Sequence, residues 1–436
     1  MKKYYTLILL LIVGTALRVY NNTAISLWHD EAFSALLIQY PWNEMFYRIG
    51  LDVHPPMYYI LLKLWHYVFG SALWSLRGFS VVFGVGAIWA TWLFVKEAFK
   101  SPKMALWAAF FVALSPFQLE YVTEARMYTM GVFFSVMAAY FLTKALHLNK
   151  ALYEVEDKTH MPNLPETLQD KKSMIWNYTG FVVSCTIIVL THYYLLFTAA
   201  ALMVYGFLYC LFHFKIHIKK YFWFLGSCAL VVIAFLPWLK VFLFQYRQVG
   251  AGYWIPPMDI WSIPGTLWTI LLGIPHDNAN SLTQKVLILV TIFSLYLFYR
   301  FLRKTDSWEK WLVVLLTLAP FGGAMLFLIL ARLKGSDSSV YQERYFLYCS
   351  TFYSIVLAAW LSELRPKQVS AGLFLAYCLF NVYAFTHYWS DLHIENKPGM
   401  NGAAKYLGAN VEPGHHVFVG SSFEFFNYKY YNQTYY

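Results

Sequence analysis

A chain of 436 residues that is 59% hydrophobic, 20% aromatic and only 13% charged lies well below the roughly 25% charge of ordinary soluble domains. That composition excludes a soluble globular enzyme, a disordered chain and a disulfide scaffold. Long apolar runs over most of the length predict a polytopic helical membrane protein. The net charge of +10 fits basic loops on one side of a bilayer, so no nucleic-acid partner is expected.

In chain order, Lys2 and Lys3 precede an apolar stretch from Tyr4 to Val19 with no small-residue cleavage site after it, which predicts a first span and not a removed leader. Ten more spans of suitable length are predicted near 73–95, 103–120, 127–147, 174–190, 195–212, 221–238, 282–299, 311–331, 346–361 and 369–390. Eleven crossings put the termini on opposite sides. With the N-terminus cytoplasmic, the inside segments 1–3, 96–103, 144–173, 212–220, 300–310 and 362–368 hold 19 of the 33 Lys and Arg, although the outside pieces are far longer. Segment 259–275 is expected to be a further re-entrant or spanning helix. The five cysteines all lie in apolar runs without ligand spacing and read as packing residues.

The outside segment 21–74 is the unusual one. Its second apolar stretch, 56–69, is only 14 residues long and is interrupted by Lys63 and His66, which share one helix face. Met57, Ile60, Leu61, Leu64 and Val68 share the other, which predicts a helix lying in the interface.

Two adjacent acids, Asp30 and Glu31, follow the first span in Trp28-His29-Asp30-Glu31. The bland reading is a solvated helix cap, with Ser26 or Asp30 serving. Ionisable groups near membrane depth mark function by default, and a carboxylate there can take a hydroxyl proton or bind a metal. In Asp52-Val53-His54-Pro55-Pro56 the prolines set the entry to the interfacial helix, and His54 either precedes a turn or donates to an anion at the helix start. Arg77 opens the second span, Arg126 the fourth, and Arg344 sits at a third outer mouth. Each alone reads as a snorkelling side chain, but the topology places all three on the face bearing Asp30. Acids and guanidiniums on one side suit a reaction in which a phosphate leaves and a hydroxyl attacks. Thr191-His192-Tyr193-Tyr194 ends the fifth span. Its tyrosines read as an interfacial aromatic belt, with His192 a minor candidate. No Walker loop, GxGxxG, HExxH or nucleophile elbow is present, so an energy-rich substrate is expected to arrive as a lipid.

These pieces together resemble the dolichyl- or polyprenyl-phosphate-mannose protein mannosyltransferase family and its bacterial relatives, integral-membrane glycosyltransferases of the GT-C fold. The matching residues are Asp30-Glu31, Asp52-Val53-His54-Pro55-Pro56, Arg77, the stretch from Ser115-Pro116 to Glu124-Ala125-Arg126-Met127-Tyr128, and Arg344-Tyr345. The resemblance implies an all-α bundle over 1–390 that transfers a sugar, with inversion, from a polyprenyl-phosphate carrier to an acceptor glycan, lipid or protein outside the plasma membrane. It implies that Asp30 is the base or acceptor-orienting carboxylate with Glu31 tuning it. Arg77, Arg126 and Arg344 would hold the lipid phosphate, assisted by His54. Glu124 matches a second acidic loop where some members of the fold bind a divalent cation such as Mg or Mn; no metal is assigned here. Eukaryotic members carry a large β-trefoil in a late outer loop, whereas 240–284 is far too short for one, which leaves a glycolipid or wall polymer as open as a protein acceptor. The other readings are a lipid-linked-sugar transporter or flippase, which places its ionisable residues mid-bilayer, and a non-catalytic cell-envelope scaffold.

Residues 391–436 change character and are expected to begin a small outside α/β domain. It has a helix over 401–407, a turn at 412–414, a strand over 417–419 and a capping box Ser421-x-x-Glu424 opening another helix. One strand cannot make a sheet, so the segment is expected to be incomplete and the chain a fragment of a longer product.

Overall fold

A computed structural model describes residues 2–20, 22–159, 168–213, 218–251, 255–273, 280–336, 338–391, 399–412 and 414–435. The helices in chain order are α1 (Lys2–Val19), α2 (His29–Leu37), α3 (Trp42–Leu51), α4 (Met57–Phe69), α5 (Leu73–Phe99), α6 (Pro102–Leu114), α7 (Pro116–Val122), α8 (Tyr128–Thr159) and α9 (Leu168–Val189). They continue with α10 (Leu195–His213), α11 (Ile218–Ala251), α12 (Ser262–Leu272), α13 (Ser281–Lys304), α14 (Glu309–Leu333), α15 (Leu347–Glu363), α16 (Lys367–Asp391), α17 (Gly399–Asn410) and α18 (Ser422–Tyr435). A 3₁₀ turn, Glu343–Phe346, leads into α15.

Each of the eleven predicted spans falls on a helix or a bent helix pair. Among the described residues eight helices are long and apolar enough to cross a membrane, nine when α6 and α7 count as one broken span. This is a multi-pass membrane protein. Alternate helix ends meet at the same level. Arg77, Arg126 and Glu343–Phe346 share one end of the bundle with Asp30, whereas Lys103 Nζ reaches Ser362 O and Ser307 Oγ reaches Ala98 O at the other. Of the candidate spans, α15 with the turn before it is the most enclosed, and α11 and α16 are the least. Those outer helices turn Leu230, Ile233 and Leu236, and Leu375, Leu379 and Val382, outward, as a helix bathed in lipid does.

Four features depart from the sequence expectation. The span expected over 103–120 is bent by 52° between α6 and α7. Ser115 caps α7 by accepting from Gln118 N (3.3 Å), and Pro116 occupies its first turn, so the helix restarts there. The break orphans carbonyls at the end of α6, and Arg18 of α1, fully buried, donates to Val112 O and Ala113 O (both 2.9 Å). In the described part of segment 259–275, where a re-entrant or spanning helix was expected, only the spanning form departs: α12 is a short helix that ends at Gly273 in the left-handed conformation (φ 62°). A Cβ there would stand 2.3 Å from that of Pro116. In α4, Lys63 is buried where an interfacial position was expected, its Nζ donating to Ile38 O and Tyr40 O (2.6 Å each), while Leu64, Tyr67 and Val68 are exposed.

The fourth departure is the C-terminal stretch. Its helices form as α17 and α18, but 417–419 is not a strand, and no strand occurs among the described residues. A single extended segment finds no partner edge there, so its backbone stays unpaired as a loop. Pro413 of the expected turn lies outside the described residues. α18 packs on α17 and α2, back against the bundle.

Candidate functional site

The site is built at the start of α2, where the two acids separate. Successive helix positions point about 100° apart, so Asp30 and Glu31 face different neighbours. Glu31, wholly buried, accepts from Arg77 Nε (2.9 Å) and Nη2 (2.8 Å), from Ala125 N (2.7 Å) and from Trp28 N (3.3 Å). Arg77 also donates from Nη1 to Asn22 O (2.7 Å) and Ile25 O (2.9 Å), and from Nη2 to Ser26 O (3.3 Å). The expectation that Arg77 meets the donor phosphate does not fit these surroundings. Arg77 is 3% exposed, and every nitrogen of its guanidinium is committed to Glu31 or to the carbonyls before α2.

Asp30 keeps 32% of its side chain open, and its carboxylate lies 3.6 Å from Nη2 of Arg126. Arg126, itself 2% exposed, donates to Asp30 O and Ser34 Oγ (3.2 Å each) and approaches His54 Nε2 at 3.5 Å. Burial works against its charge, but Asp30 and the surrounding tyrosines hold its pKa well above the usual guanidinium value. Asp52 accepts from His54 Nδ1 (2.9 Å), which turns Nε2 of that ring toward Arg126. Burial raises Asp52, but the charge and hydrogen bond of His54 outweigh it and hold the carboxyl below its ordinary value. Buried Pro55 and Pro56 fix this turn at the head of α4.

On the far side of Glu31 stands Glu124, in the bend before α8. Burial, reinforced by Glu31 and opposed by Arg344, pushes its carboxyl up to about 8. Arg344 lies over the Trp28 ring at 5.2 Å. His192 is buried with its ring 5.6 Å from His54 and 4.7 Å from Tyr345, and its Nδ1 accepts from Tyr194 N. Burial first, then His54, Arg126 and Arg344, drive its pKa far down, so the imidazole is neutral. The structure therefore brings Asp30, His54, Arg126 and His192 into one chain of contacts, and Glu124 and Arg344 into a second cluster behind Trp28.

The tyrosines expected in an interfacial belt are inside. Tyr194 is 5% exposed and donates to Val340 O (2.7 Å), and Tyr193 bonds Gln245 and accepts from Trp238 Nε1 (3.1 Å). They turn inward because the chain bends at 190–194 between α9 and α10. With His54, His192, Phe197, Phe242 and Tyr345 they line an apolar cavity of about 190 Å³. Sequence reasoning passed over Ser34, Tyr58 and Tyr348, and quoted Asp52 in its motif without giving it a role. Only Ser34 carried a signal, standing four residues after Asp30 on the same helix face. Arg126 Nε, Glu124 Oε2, Trp28 Nε1 and the hydroxyls of Tyr58 and Tyr348 are buried and find no hydrogen-bond partner among the described residues. Such a concentration of open polar valences marks a place for solvent or substrate. Among the described residues no three His, Cys, Asp or Glu side chains converge as metal ligands.

Residues 53–154 match the family model described as dolichyl-phosphate-mannose-protein mannosyltransferase. No curated protein matches the chain. Among solved structures, ArnT from Cupriavidus metallidurans bound to undecaprenyl phosphate aligns at TM-score 0.54 and 12% identity over 92% of this chain and 72% of that one. The archaeal oligosaccharyltransferase AglB from Archaeoglobus fulgidus, in complex with an inhibitory peptide and a dolichol-phosphate, aligns at 0.51 and 15% identity over 95% and 58%. The S. cerevisiae protein O-mannosyltransferase Pmt1-Pmt2 complex bound to the sugar donor aligns at 0.41 and 15% identity over 57% and 34%. The chain thus spans about a third to three-quarters of the length of these proteins. The resemblance drawn from the sequence is borne out over 53–154, and the fold is of the GT-C type.

Proposed function

We propose that the protein is a membrane glycosyltransferase that moves a sugar from a polyprenyl-phosphate carrier to an acceptor hydroxyl on the extracytoplasmic face, with inversion. The observation that carries this reading is the half-open Asp30 carboxylate 3.6 Å from a buried, permanently charged Arg126. One group can receive a proton while the other steadies a leaving anion. The relatives solved with undecaprenyl phosphate and with a dolichol-phosphate support a lipid-phosphate donor for this fold.

In this reading the donor phosphate meets Arg126, with His54 beside it and Arg344 closing from the Trp28 side. The first isoprenoid units enter the apolar cavity beyond His54. The acceptor oxygen attacks the anomeric carbon from the face opposite the phosphate. The carbon–oxygen bond breaks with its electron pair leaving on the lipid phosphate, and the acceptor proton passes to Asp30. Arg126 pairs with Asp30 in the resting site. As charge grows on the leaving phosphate the guanidinium stabilises it, while the Asp30 carboxylate receives the proton that the attacking hydroxyl gives up. Arg77 belongs to the scaffold in this scheme and holds Glu31. Ionisable residues gathered at one end of the bundle favour this reading over a transporter, which needs them at mid-depth.

The test is transfer by purified protein in detergent, supplied with a polyprenyl-phosphate sugar or with the matching nucleotide sugar. Turnover is expected with the lipid donor only, and Asp30→Asn is expected to lower kcat about 10² to 10⁴-fold with folding intact. Turnover with the nucleotide sugar alone, or full activity in Asp30→Asn, would overturn it.

A further inference from the structure

The segment 22–30, which delivers Asp30, has no regular structure before α2, and Trp28 at the helix N-cap makes no side-chain cap bond. From inside the bundle it is gripped by Arg77, through the carbonyls of Asn22, Ile25 and Ser26. From the other side it is gripped by the C-terminal helices. Leu27 N–H, buried, donates to Tyr431 Oη at 2.8 Å. Asn401 N–H donates to Ser26 Oγ at 3.2 Å. Gly399, with φ 61°, lies so close that a Cβ would stand 2.8 Å from Ser26 Oγ. Phe426 inserts against His29 (5.3 Å between centroids) and Phe33 (5.5 Å), the residues flanking Asp30 on α2. Tyr430 Oη donates to Ser71 O (2.7 Å), anchoring α18 to the turn between α4 and α5.

We propose that α17 and α18 are a clamp that sets the position of Asp30, with Tyr431 as its positioning residue. The Leu27 amide is three residues from Asp30, and the phenol oxygen is the acceptor it meets. Arg77 holds carbonyls of the segment and Tyr431 holds an amide, so the segment cannot shift without losing bonds to one of them. A small displacement of a catalytic group is costly in rate even when binding is untouched.

The test is Tyr431→Phe in the full chain, with Tyr428→Phe as control, because among the described residues the Tyr428 hydroxyl bonds Asn432, within α18 itself. The first readout is hydrogen–deuterium exchange of the peptide over 22–33, which does not depend on the proposed reaction. An orphaned buried amide corresponds to about tenfold or more faster exchange, whereas unchanged protection would overturn the clamp. The second readout rests on the transferase reading: kcat is expected to fall about threefold to tenfold with donor KM within about twofold. Faster exchange with unchanged kcat would show that the clamp does not position Asp30. If the unsubstituted protein transfers no sugar, the reaction assignment fails while the exchange measurement still decides the clamp. Equal effects of Tyr428→Phe and Tyr431→Phe would also overturn it.

Discussion

Arg77→Lys separates a phosphate ligand from a structural pair. Arg77 makes five hydrogen bonds of 2.7–3.3 Å, two to Glu31 and three to carbonyls of the Asp30 segment. Lysine keeps the charge but has three donors and no planar fork, so at least two of these acceptors lose their partner. At about 1–3 kcal/mol for each buried group left unsatisfied, the change is expected to cost about 2–6 kcal/mol, a large share of a domain's total of roughly 5–15 kcal/mol. Arg77→Leu goes further and leaves the Glu31 carboxylate enclosed without a counter-charge, a loss of about 3–5 kcal/mol for the pair alone. Thermal unfolding in detergent should show Arg77→Lys clearly destabilised and Arg77→Leu poorly folded. The folded fraction of Arg77→Lys should bind the lipid donor with unchanged KM. An Arg77→Lys protein as stable as the parent, but with donor KM raised tenfold or more, would refute the assignment and return Arg77 to the phosphate.

The remaining predictions concern the open side of the site. Arg126→Lys should lower kcat and Arg126→Ala lower it further, since a leaving phosphate needs charge and gains more from a fork; equal kcat values in transfer assays would contradict this. Glu124, with its carboxyl near 8, is protonated in the folded protein where an unperturbed glutamate is already ionised. Its burial therefore lowers stability as pH rises from about 4.5, and the loss levels off above about 8. Glu124→Gln should flatten that slope in melting curves taken across this range, and an unchanged slope would remove Glu124 as its source. Single cysteines replacing Lys103 and Ala403 in a cysteine-free background should label from opposite sides of the membrane, Ala403→Cys from outside intact cells. Labelling of both from one side would break the eleven-crossing topology.

Much of this architecture is readable from local pattern alone. Apolar runs long enough to cross a bilayer each fall on a helix or a bent helix pair, and eight or nine of these are long and apolar enough to cross among the described residues, because membrane insertion depends on composition over about twenty residues. The same local logic places α4 and its prolines, and finds both helices of the C-terminal stretch. It also puts Asp30, Arg126 and Arg344 at one end, since alternation of spans is enough to decide that. It cannot decide which charge meets which. Asp30 and Glu31 are adjacent in sequence, yet one stays partly open beside Arg126 and the other is sealed against an arginine 46 residues away and an amide 94 residues away. Arg77 and Arg126 both open spans on the same face, yet only tertiary packing commits the first to Glu31 and the second to Asp30. The bend between α6 and α7 depends in the same way on Arg18 reaching across from α1. Side-chain pairing over such separations is set by how helices pack, and helix packing leaves no trace in the hydrophobic period of any one of them.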